Sequence, residues 1–264
     1  MTVLRRGKQS ARAGSLGGRF LGPAALLLLG ASPAWAASPE QVQDLGPKRG
    51  EWSLEYVGQF ANAQGSDEER QHSGELYYAV SDALVLGGET QLGYRSGALV
   101  DEDRFYFDYD SVIALIRFSD AERDPVGTGL WLQAALDSDG EVARLEARFI
   151  VEKETRQWRA QANAMLRRVN EERREGSHLA YSARVSHALG AGTWLGLEGS
   201  GQAVRISGFS REPFDAGHYL GPSLSHELRL GGSARLDLGL SYLRRVDSSE
   251  PLRNVFQFAG QLRF

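Results

Sequence analysis

Cysteine is absent from the 264-residue sequence, and proline is scarce, with eight residues against 31 glycines. Without cysteine the chain forms no disulfides, performs no thiol chemistry and binds no metal through thiolates. An excess of basic residues is also missing, because 34 acidic residues outnumber 30 basic ones. A nucleic-acid partner is therefore not expected. No apolar run reaches the roughly 20 residues that a membrane-spanning helix needs.

Catalytic patterns are equally scarce. The nearest approach to a Gly-x-Ser-x-Gly nucleophile elbow is Gly199-Ser200-Gly201, which lies in a predicted strand. His72 near Asp67, or His218 near Asp215, could serve a hydrolase, but solvated surface residues are the favoured interpretation. No histidine spacing matches a transition-metal site. The sequence thus predicts a protein that is not an enzyme and that uses no metal or other cofactor.

The first 36 residues have the pattern of a secretory signal peptide. They contain five basic residues and no acid, then an apolar stretch at 20–29 and the small-residue site Ala34-Trp35-Ala36. This order predicts export and cleavage after Ala36. A membrane anchor is the alternative, but the apolar stretch is about half the length that spanning requires. The remaining chain has 25 basic and 34 acidic residues, a formal charge of −9.

Residues 254–264 alternate between apolar and polar side chains. Phe256, Phe258, Leu262 and Phe264 share one face of an extended chain, whereas glutamines, an arginine and small residues share the other. Such alternation predicts a β-strand with one apolar and one polar face. With its terminal aromatic, this strand resembles the closing strand of Gram-negative outer-membrane β-barrels. The resemblance implies that Phe256, Phe258, Leu262 and Phe264 form a signal for the periplasmic assembly machinery.

Tight-turn signals recur along the chain at steps of 32 to 39 residues. They are Val80–Asp82, Phe118–Asp120, Lys153–Thr155, Val185–His187 and Leu224–His226. A step of this size matches one β-hairpin, and propellers of similar step are disfavoured because no blade signature is present. The twelve strands predicted in this way span about 50–62, 72–80, 84–96, 104–118, 126–137, 141–153, 155–169, 177–189, 193–207, 218–229, 233–246 and 254–264.

Twelve strands are an even number, as in bacterial single-chain barrels, so both termini are expected in the periplasm and the longer loops outside. The chain resembles small twelve-stranded porins and the outer-membrane barrels linked to aromatic-degradation pathways. We therefore expect an all-β fold, an antiparallel up-and-down transmembrane β-barrel of about 12 strands, in the cell outer membrane. Its expected parts are a signal peptide at 1–36, a short periplasmic lead at 37–49 and the barrel at 50–264. The lead is too short, on this interpretation, to plug the lumen.

Aromatic residues near the predicted strand ends fit the interfacial girdles of such barrels, with the core of a soluble barrel as the alternative. They are Trp52, Tyr56, Tyr78, Trp158, Tyr181 and Tyr242. Acidic clusters mark the predicted outer loops, at 67–69, 101–103, 137–139 and 171–172. These carboxylates could bind Ca²⁺ or Mg²⁺ loosely, but a solvated rim is the favoured interpretation.

Charged residues alternate with apolar ones on several predicted strands. In a dry core an unpaired charge would cost several kcal/mol, whereas in a wet lumen it stays hydrated. The predicted lumen-lining residues are Arg144, Glu146, Arg148, Arg159, Arg167, Arg184, Glu198, Arg235, Asp237 and Arg245. Four of them, Arg144, Arg148, Arg159 and Arg167, are expected to form a continuous positive strip.

The resulting functional hypothesis is an outer-membrane channel for passive diffusion of small hydrophilic solutes, with a modest anion preference. A closed structural barrel, whose salt bridges fill the lumen and whose loops act, is the main alternative. The outer-membrane hydrolase is the third. Expected partners are outer-membrane lipid and lipopolysaccharide, periplasmic chaperones, the barrel-assembly machinery and small-molecule solutes.

Overall fold

The computed structural model describes residues 41–62, 68–96, 104–171, 174–207, 217–247 and 254–264. Within these ranges the chain forms twelve β-strands, and no helix there is long and apolar enough to cross a membrane. The strands are β1 (Trp52–Asn62), β2 (Glu68–Ala79), β3 (Leu84–Ser96), β4 (Arg104–Ser119), β5 (Gly127–Leu136), β6 (Val142–Glu154), β7 (Trp158–Glu171), β8 (Arg174–Gly190), β9 (Thr193–Ser207), β10 (His218–Gly231), β11 (Ala234–Arg245) and β12 (Asn254–Arg263).

Hydrogen bonding closes the twelve strands into a single barrel. Each strand pairs with its neighbours in sequence, and β12 returns to pair antiparallel with β1. Two backbone hydrogen bonds between Trp52 and Phe264, of 2.9 and 3.0 Å, extend this closing pair to the end of the chain. The predicted all-β fold, the antiparallel up-and-down order and the count of twelve strands are confirmed.

The predicted strand bounds are close to those observed, with one clear difference. The second strand begins at Glu68 rather than at residue 72, because pairing with β1 and β3 continues through its polar start. Two predicted turn signals are wrong as turns, since Ser186 lies within β8 and Ser225 within β10. The chain reverses instead at the glycine-rich sequences that follow, where Gly192 has a φ of +78° that favours glycine.

Side chains alternate between two environments along each strand. On β7 the residues Trp158 and Leu166 are 51% and 46% exposed, whereas Gln161, Asn163 and Met165 are buried. In a closed barrel the exposed set faces outward and the buried set faces the lumen. The period-two pattern of the sequence therefore predicts correctly which side chains of β7 face outward and which face the lumen.

An apolar cluster fills part of the lumen. It combines Leu45 with inward side chains of β2 to β6, which are Tyr77, Ala79, Val85, Ile113, Leu115, Trp131 and Ile150. Room for Leu45 depends on Gly127 and Gly129, because a Cβ atom at either position would lie within 2.8 Å of a Leu45 methyl carbon. Burying a leucine in this way contributes about 1.5–3 kcal/mol.

Residues 41–47, hereafter the internal segment, lie inside the barrel. Val42, Gln43 and Leu45 are each less than 9% exposed, and Pro47 is fully buried. The lead, which was expected to be too short to plug the lumen, therefore enters the lumen over these seven residues. An extended chain advances about 3.3 Å per residue, so even seven residues reach far into a barrel of this size.

Candidate functional site: the barrel lumen

The outer wall of the barrel is apolar over most of its described surface. Exposed aliphatic and aromatic residues occur on every strand, with side chains such as Leu54, Leu145, Phe149 and Leu240 more than 40% exposed. Five of the six predicted girdle aromatics are among them, and Tyr78 packs against Trp52 with ring centroids 4.7 Å apart. An apolar surface this extensive is suited to hydrocarbon rather than to water.

On the inner wall, Glu146 of β6 binds two arginines at once. Its carboxylate lies 2.7 Å from Arg148 and 2.5 Å from Arg167, and its side chain is 1% exposed. The pair with Arg167 follows from the strand register, which sets Glu146 opposite Arg167. Charge-assisted, two-sided pairing of this kind is what keeps a buried carboxylate ionised.

The continuous positive strip expected on β6 and β7 is not formed. Arg148 faces Met165 in the register, so uncharged residues separate it from Arg159. Arg159 pairs with Glu154 at 3.0 Å and lies 4.8 Å from the centre of the Trp194 ring. The predicted strip is therefore interrupted by acidic partners and by ring contacts. Side chains on the same face of two paired strands lie next to each other only if the register sets them opposite, and alternation does not fix the register.

Arg144 and Arg148 rest on aromatic rings of β4 and β5. The Arg144 guanidinium lies 4.1 Å from the centre of the Tyr109 ring, and that of Arg148 lies 4.9 Å from the Trp131 ring. Arg144 also donates a 3.2 Å hydrogen bond to Gln133. Cation–π contact of this kind fixes both guanidiniums against the wall of β4 to β6.

Arg184 and Glu198 form a further pair across β8 and β9. Their charged atoms are 3.8 Å apart, and Arg184 also donates to Gln161 at 2.8 Å. Glu198, which is 2% exposed, accepts a 3.0 Å hydrogen bond from Ser241 of β11. The charges of Arg184 and Glu198 therefore compensate each other on this part of the inner wall.

The three remaining predicted lumen residues lie on β11. Arg245 is 5% exposed and makes two 3.0 Å hydrogen bonds to Asp247, just beyond the strand. Those hydrogen bonds hold the pKa of Asp247 at about 2. Asp237 lines the cavity described below, and Arg235 stands opposite Arg263 of β12 in the register.

The internal segment crosses the lumen by hydrogen bonding to opposite walls. The Gln41 side chain donates to Glu55 of β1 at 2.7 Å, while its carbonyl accepts from Ser182 of β8 at 3.0 Å. Gln43 and Asn163 of β7 exchange two hydrogen bonds, of 2.7 and 3.1 Å. Since β1 and β8 are five strands apart around the barrel, these contacts span the bore.

Ionic contacts hold the other half of the segment. Asp44 is paired with Arg263 of β12, and Arg117 of β4 donates to the Leu45 carbonyl at 2.7 Å. The Leu45 amide in turn donates to Glu152 of β6 at 3.4 Å. Residues 41–45 thus belong to the site although the sequence predicted no role for them. A polar segment before the first strand was the available signal, but nothing local distinguishes a lumen segment from a solvated lead.

A cavity of about 110 Å³ remains between the internal segment and the wall formed by β7 to β12 and β1. Its lining includes Arg159, Arg184, Glu198 and Asp237 from the predicted set. The predicted residues Arg144, Glu146, Arg148 and Arg167 belong to the packed side of the bore instead. Around the internal segment the lumen therefore has a packed side, on β2 to β6, and a cavity on the opposite side.

The side chains of the two histidines that the hydrolase hypothesis names are hydrogen bonded to tyrosines. His72 accepts or donates a 2.7 Å hydrogen bond with Tyr56, and His218 a 2.9 Å bond with Tyr181. The proposed acidic partners, Asp67 and Asp215, lie outside the described residues. Within the described ranges, no cluster of three His, Asp or Glu residues is arranged to hold a metal ion.

The signal peptide at 1–36 and the acidic cluster at 101–103 lie wholly outside the described residues, and the clusters at 67–69 and 171–172 lie partly outside them. All four residues of the predicted assembly signal lie in 254–264, which is described, and Phe256 and Phe264 are 45% and 51% exposed.

No protein-family model and no curated protein matches the sequence. Solved structures do match the fold. An outer-membrane channel from Pseudomonas putida F1 has a TM-score of 0.55 and 14% identity, over 86% of this chain and 99% of that one. The NanC porin has a TM-score of 0.53 and 8% identity, over 78% of this chain and 98% of that one. At these identities the comparisons confirm the barrel fold that the sequence resembled.

Proposed function

We propose that this protein is an outer-membrane channel for passive diffusion of small hydrophilic solutes. The observation that carries the proposal is the polar cavity inside a closed barrel whose outer face is apolar. Polar lumen and apolar exterior are the two surfaces that a membrane channel of this type needs. The cavity lies beside the internal segment, which borders the proposed path.

The proposed location is the cell outer membrane, reached through a signal peptide at 1–36 that is cleaved on export. The apolar outer wall would contact membrane lipid and lipopolysaccharide. The channel from Pseudomonas putida F1 and the NanC porin, which share the fold, bear names that agree with this role. A catalytic role forms no part of the proposal, since His72 and His218 pair with tyrosines.

The proposal includes no anion preference. The described lining of the cavity carries five carboxylates, which are Asp44, Glu55, Glu198, Glu227 and Asp237, and three arginines. Because the arginines are Arg159, Arg184 and Arg263, each with an acidic partner, they supply little free positive charge. Solutes of either sign, and neutral ones, are expected to pass.

The direct test is single-channel recording of the refolded mature protein in a planar bilayer. We expect small conductance steps, with current proportional to voltage. The conductance should rise with salt concentration with little saturation, as for a narrow water-filled path. A silent membrane that contains heat-modifiable, correctly folded barrel would overturn the channel proposal.

A closed structural barrel is the second candidate, and the internal segment is the observation that favours it. Gln41, Gln43 and Asp44 cross the bore with hydrogen bonds to both walls, and the β2 to β6 side is packed with Leu45. The same recording decides between the two candidates, because a closed barrel conducts no ions.

We also propose that the outward side chains of β12 are read during assembly by periplasmic chaperones and the barrel-assembly machinery. Phe264→Asp keeps the two backbone hydrogen bonds to Trp52 and changes only the side chain. Lower outer-membrane levels, with periplasmic degradation products, are expected on immunoblots. Normal levels of folded barrel in this variant would contradict the assembly role.

A further inference from the structure

A row of mostly aromatic side chains runs across six strands on the outward face of the barrel. Each member stands opposite the next in the strand register, from β11 through β12, β1, β2 and β3 to β4. The row lies near the end of the barrel that is away from Trp52 and Phe264. Aromatic residues at such a level are typical of the boundary between the hydrocarbon and the lipid headgroups. The members are Tyr242, Phe256, Phe60, Arg70, Tyr94 and Phe105.

Arg70 is the one charged member of this row. Its side chain is exposed, and its guanidinium lies 5.2 Å from the centre of the Tyr94 ring on β3. Phe60 stands on its other side, on β1. An arginine on the outer wall of a barrel is far less costly near the interface than at the membrane midplane. Arg70 therefore lies at the level where the phosphate groups of membrane lipids are found.

A hollow of about 420 Å³ opens beside Arg70. Its described lining combines Arg70 with Phe60, Phe256 and Tyr242 of the row and with Asn254 at the start of β12. The three aromatic side chains are each at least 40% exposed. One ordered water needs only about 10–15 Å³, so the hollow has room for part of a much larger molecule.

The acidic residue of the lining, Glu69, belongs to the other face of β2. It precedes Arg70 in an extended strand, so the two side chains lie on opposite sides of the barrel wall. Glu69 is 5% exposed, and its carboxylate accepts a 3.3 Å hydrogen bond from Gln71. Of the two charged lining residues, Arg70 is therefore the one that faces the membrane.

We propose that this hollow binds lipid A, the phosphorylated disaccharide lipid of lipopolysaccharide. A phosphate of the lipid accepts hydrogen bonds from Arg70, and an acyl chain packs over Phe60, Phe256 and Tyr242. A guanidinium has five N–H donors in a planar fork that matches phosphate, so Arg70 can keep its contact with Tyr94 and still bind the lipid.

The inference rests on the proposed outer-membrane location, with the chain termini facing the periplasm. This orientation places the aromatic row in the outer leaflet, where lipopolysaccharide is the lipid. General contact of the apolar wall with lipid needs no particular residue. The proposal differs because it assigns one lipid to one site and one headgroup contact to Arg70.

The test is native mass spectrometry of the refolded mature protein in detergent micelles, titrated with lipid A. We expect one tightly bound lipid A per barrel, and weaker binding of phosphatidylglycerol and phosphatidylethanolamine at equal concentration. Arg70→Gln removes the charge and should weaken lipid A binding at least about ten-fold, because a charge-assisted hydrogen bond is lost. Arg70→Lys keeps the charge without the fork, so its affinity should lie between the two.

Arg168→Gln is the matched control. Arg168 is also exposed near the same end of the barrel, on β7, but the register sets it between Leu145 and Ser177 rather than between aromatic residues. It does not line the hollow, so this variant should bind lipid A as the wild type does. If Arg70→Gln gives no heat-modifiable barrel, Phe60→Ala, which removes part of the apolar lining, takes its place.

Three results would contradict the inference. They are equal lipid A binding by the wild type and Arg70→Gln, an equal loss in Arg168→Gln, and phosphatidylglycerol bound as tightly as lipid A. A complex of two chains without bound lipid would show instead that a second copy covers this face, and would also overturn the proposal. Lipid binding is measured without conduction, so a silent bilayer together with Arg70-dependent lipid A binding would overturn the channel alone.

Discussion

Glu146 is the shared counterion of two lumen arginines, Arg148 of β6 and Arg167 of β7. The Glu146 carboxylate binds Arg148 and Arg167, and its side chain is 1% exposed. Water therefore cannot replace this carboxylate as the partner of either guanidinium. Removing one member of such a cluster lowers the free energy of unfolding strongly, because the remaining charge stays buried without a partner. The cluster therefore fixes the packed side of the bore.

Glu146→Gln should destabilise the barrel by about 3–5 kcal/mol, because two buried arginines lose their shared counterion. Urea unfolding of the refolded protein in micelles, followed by tryptophan fluorescence, measures the change. Glu175→Gln is the control, since the Arg168–Glu175 pair of 3.3 Å is more than half exposed on both sides. It should cost about 1 kcal/mol or less. Equal losses in the two variants would contradict the buried-cluster account.

Asp247 gives a pH-dependent prediction at the end of β11. Hydrogen bonds from Arg245 hold its folded-state pKa at about 2, below its ordinary value of 3.8. A lowered carboxyl pKa contributes stability that is complete above about pH 4 and is lost as the pH falls through 2. Wild type should thus exceed Asp247→Asn in urea midpoint at neutral pH, and the gap should close between pH 4 and 2. A gap that stays constant down to pH 2 would show that the ionic bond contributes nothing.

At the scale of elements, the strands were predictable from the sequence and the internal segment was not. Alternation along β6, β7, β11 and β12 predicted both the strands and the face on which each side chain lies. It did so because one side of the barrel wall faces an apolar environment and the other faces the polar lumen. The register was not available from alternation. It decides that Arg148 faces Met165, and hence that the expected strip is broken.

The predicted turns show the same limit. The sequences around Ser186 and Ser225 resemble the other predicted turns, yet both residues lie within strands. The chain reverses at the glycine-rich sequences that follow them. Residues 41–47 lack any periodic pattern, so their place in the lumen depends on partners 100 or more residues away, such as Asn163 and Arg263. Local sequence cannot specify such contacts.

Replacement of the internal segment is the main test of its role. A seven-residue Gly-Ser linker in place of residues 41–47 removes the Leu45 packing and the hydrogen bonds to Asn163 and Glu55. Single-channel conductance should rise, because the bore loses an element that spans it. Stability should fall by at least the ~1.5–3 kcal/mol of the leucine burial.

The control for this replacement is a linker of the same composition in the exposed turn 121–126 between β4 and β5. It should leave the conductance at the wild-type value. Unchanged conductance after removal of the internal segment would place the conducting path elsewhere in the barrel, away from the cavity.

At the scale of the whole molecule, the charge of the chain and the charge of the cavity lining have the same sign. The 264-residue sequence has a formal charge of −4, and the described lining of the cavity has five carboxylates against three arginines. The sequence-based expectation of an arginine-rich, anion-preferring bore counted residues on the inner face. The structure distributes those residues unevenly, with Arg144, Arg148 and Arg167 on the packed side.

We therefore expect a weak cation preference, measured as the reversal potential across a salt gradient. It should be larger at low salt, because the Debye length is about 10 Å at 0.1 M and longer in more dilute solution. Asp237→Asn removes a carboxylate from the cavity wall and should move the reversal potential toward the anion side. Asp110→Asn is the control, because Asp110 is exposed on the outward face beside Thr90 and should have no effect. An anion-preferring wild type, or equal shifts in the two variants, would mean that the cavity is not the selective part of the path.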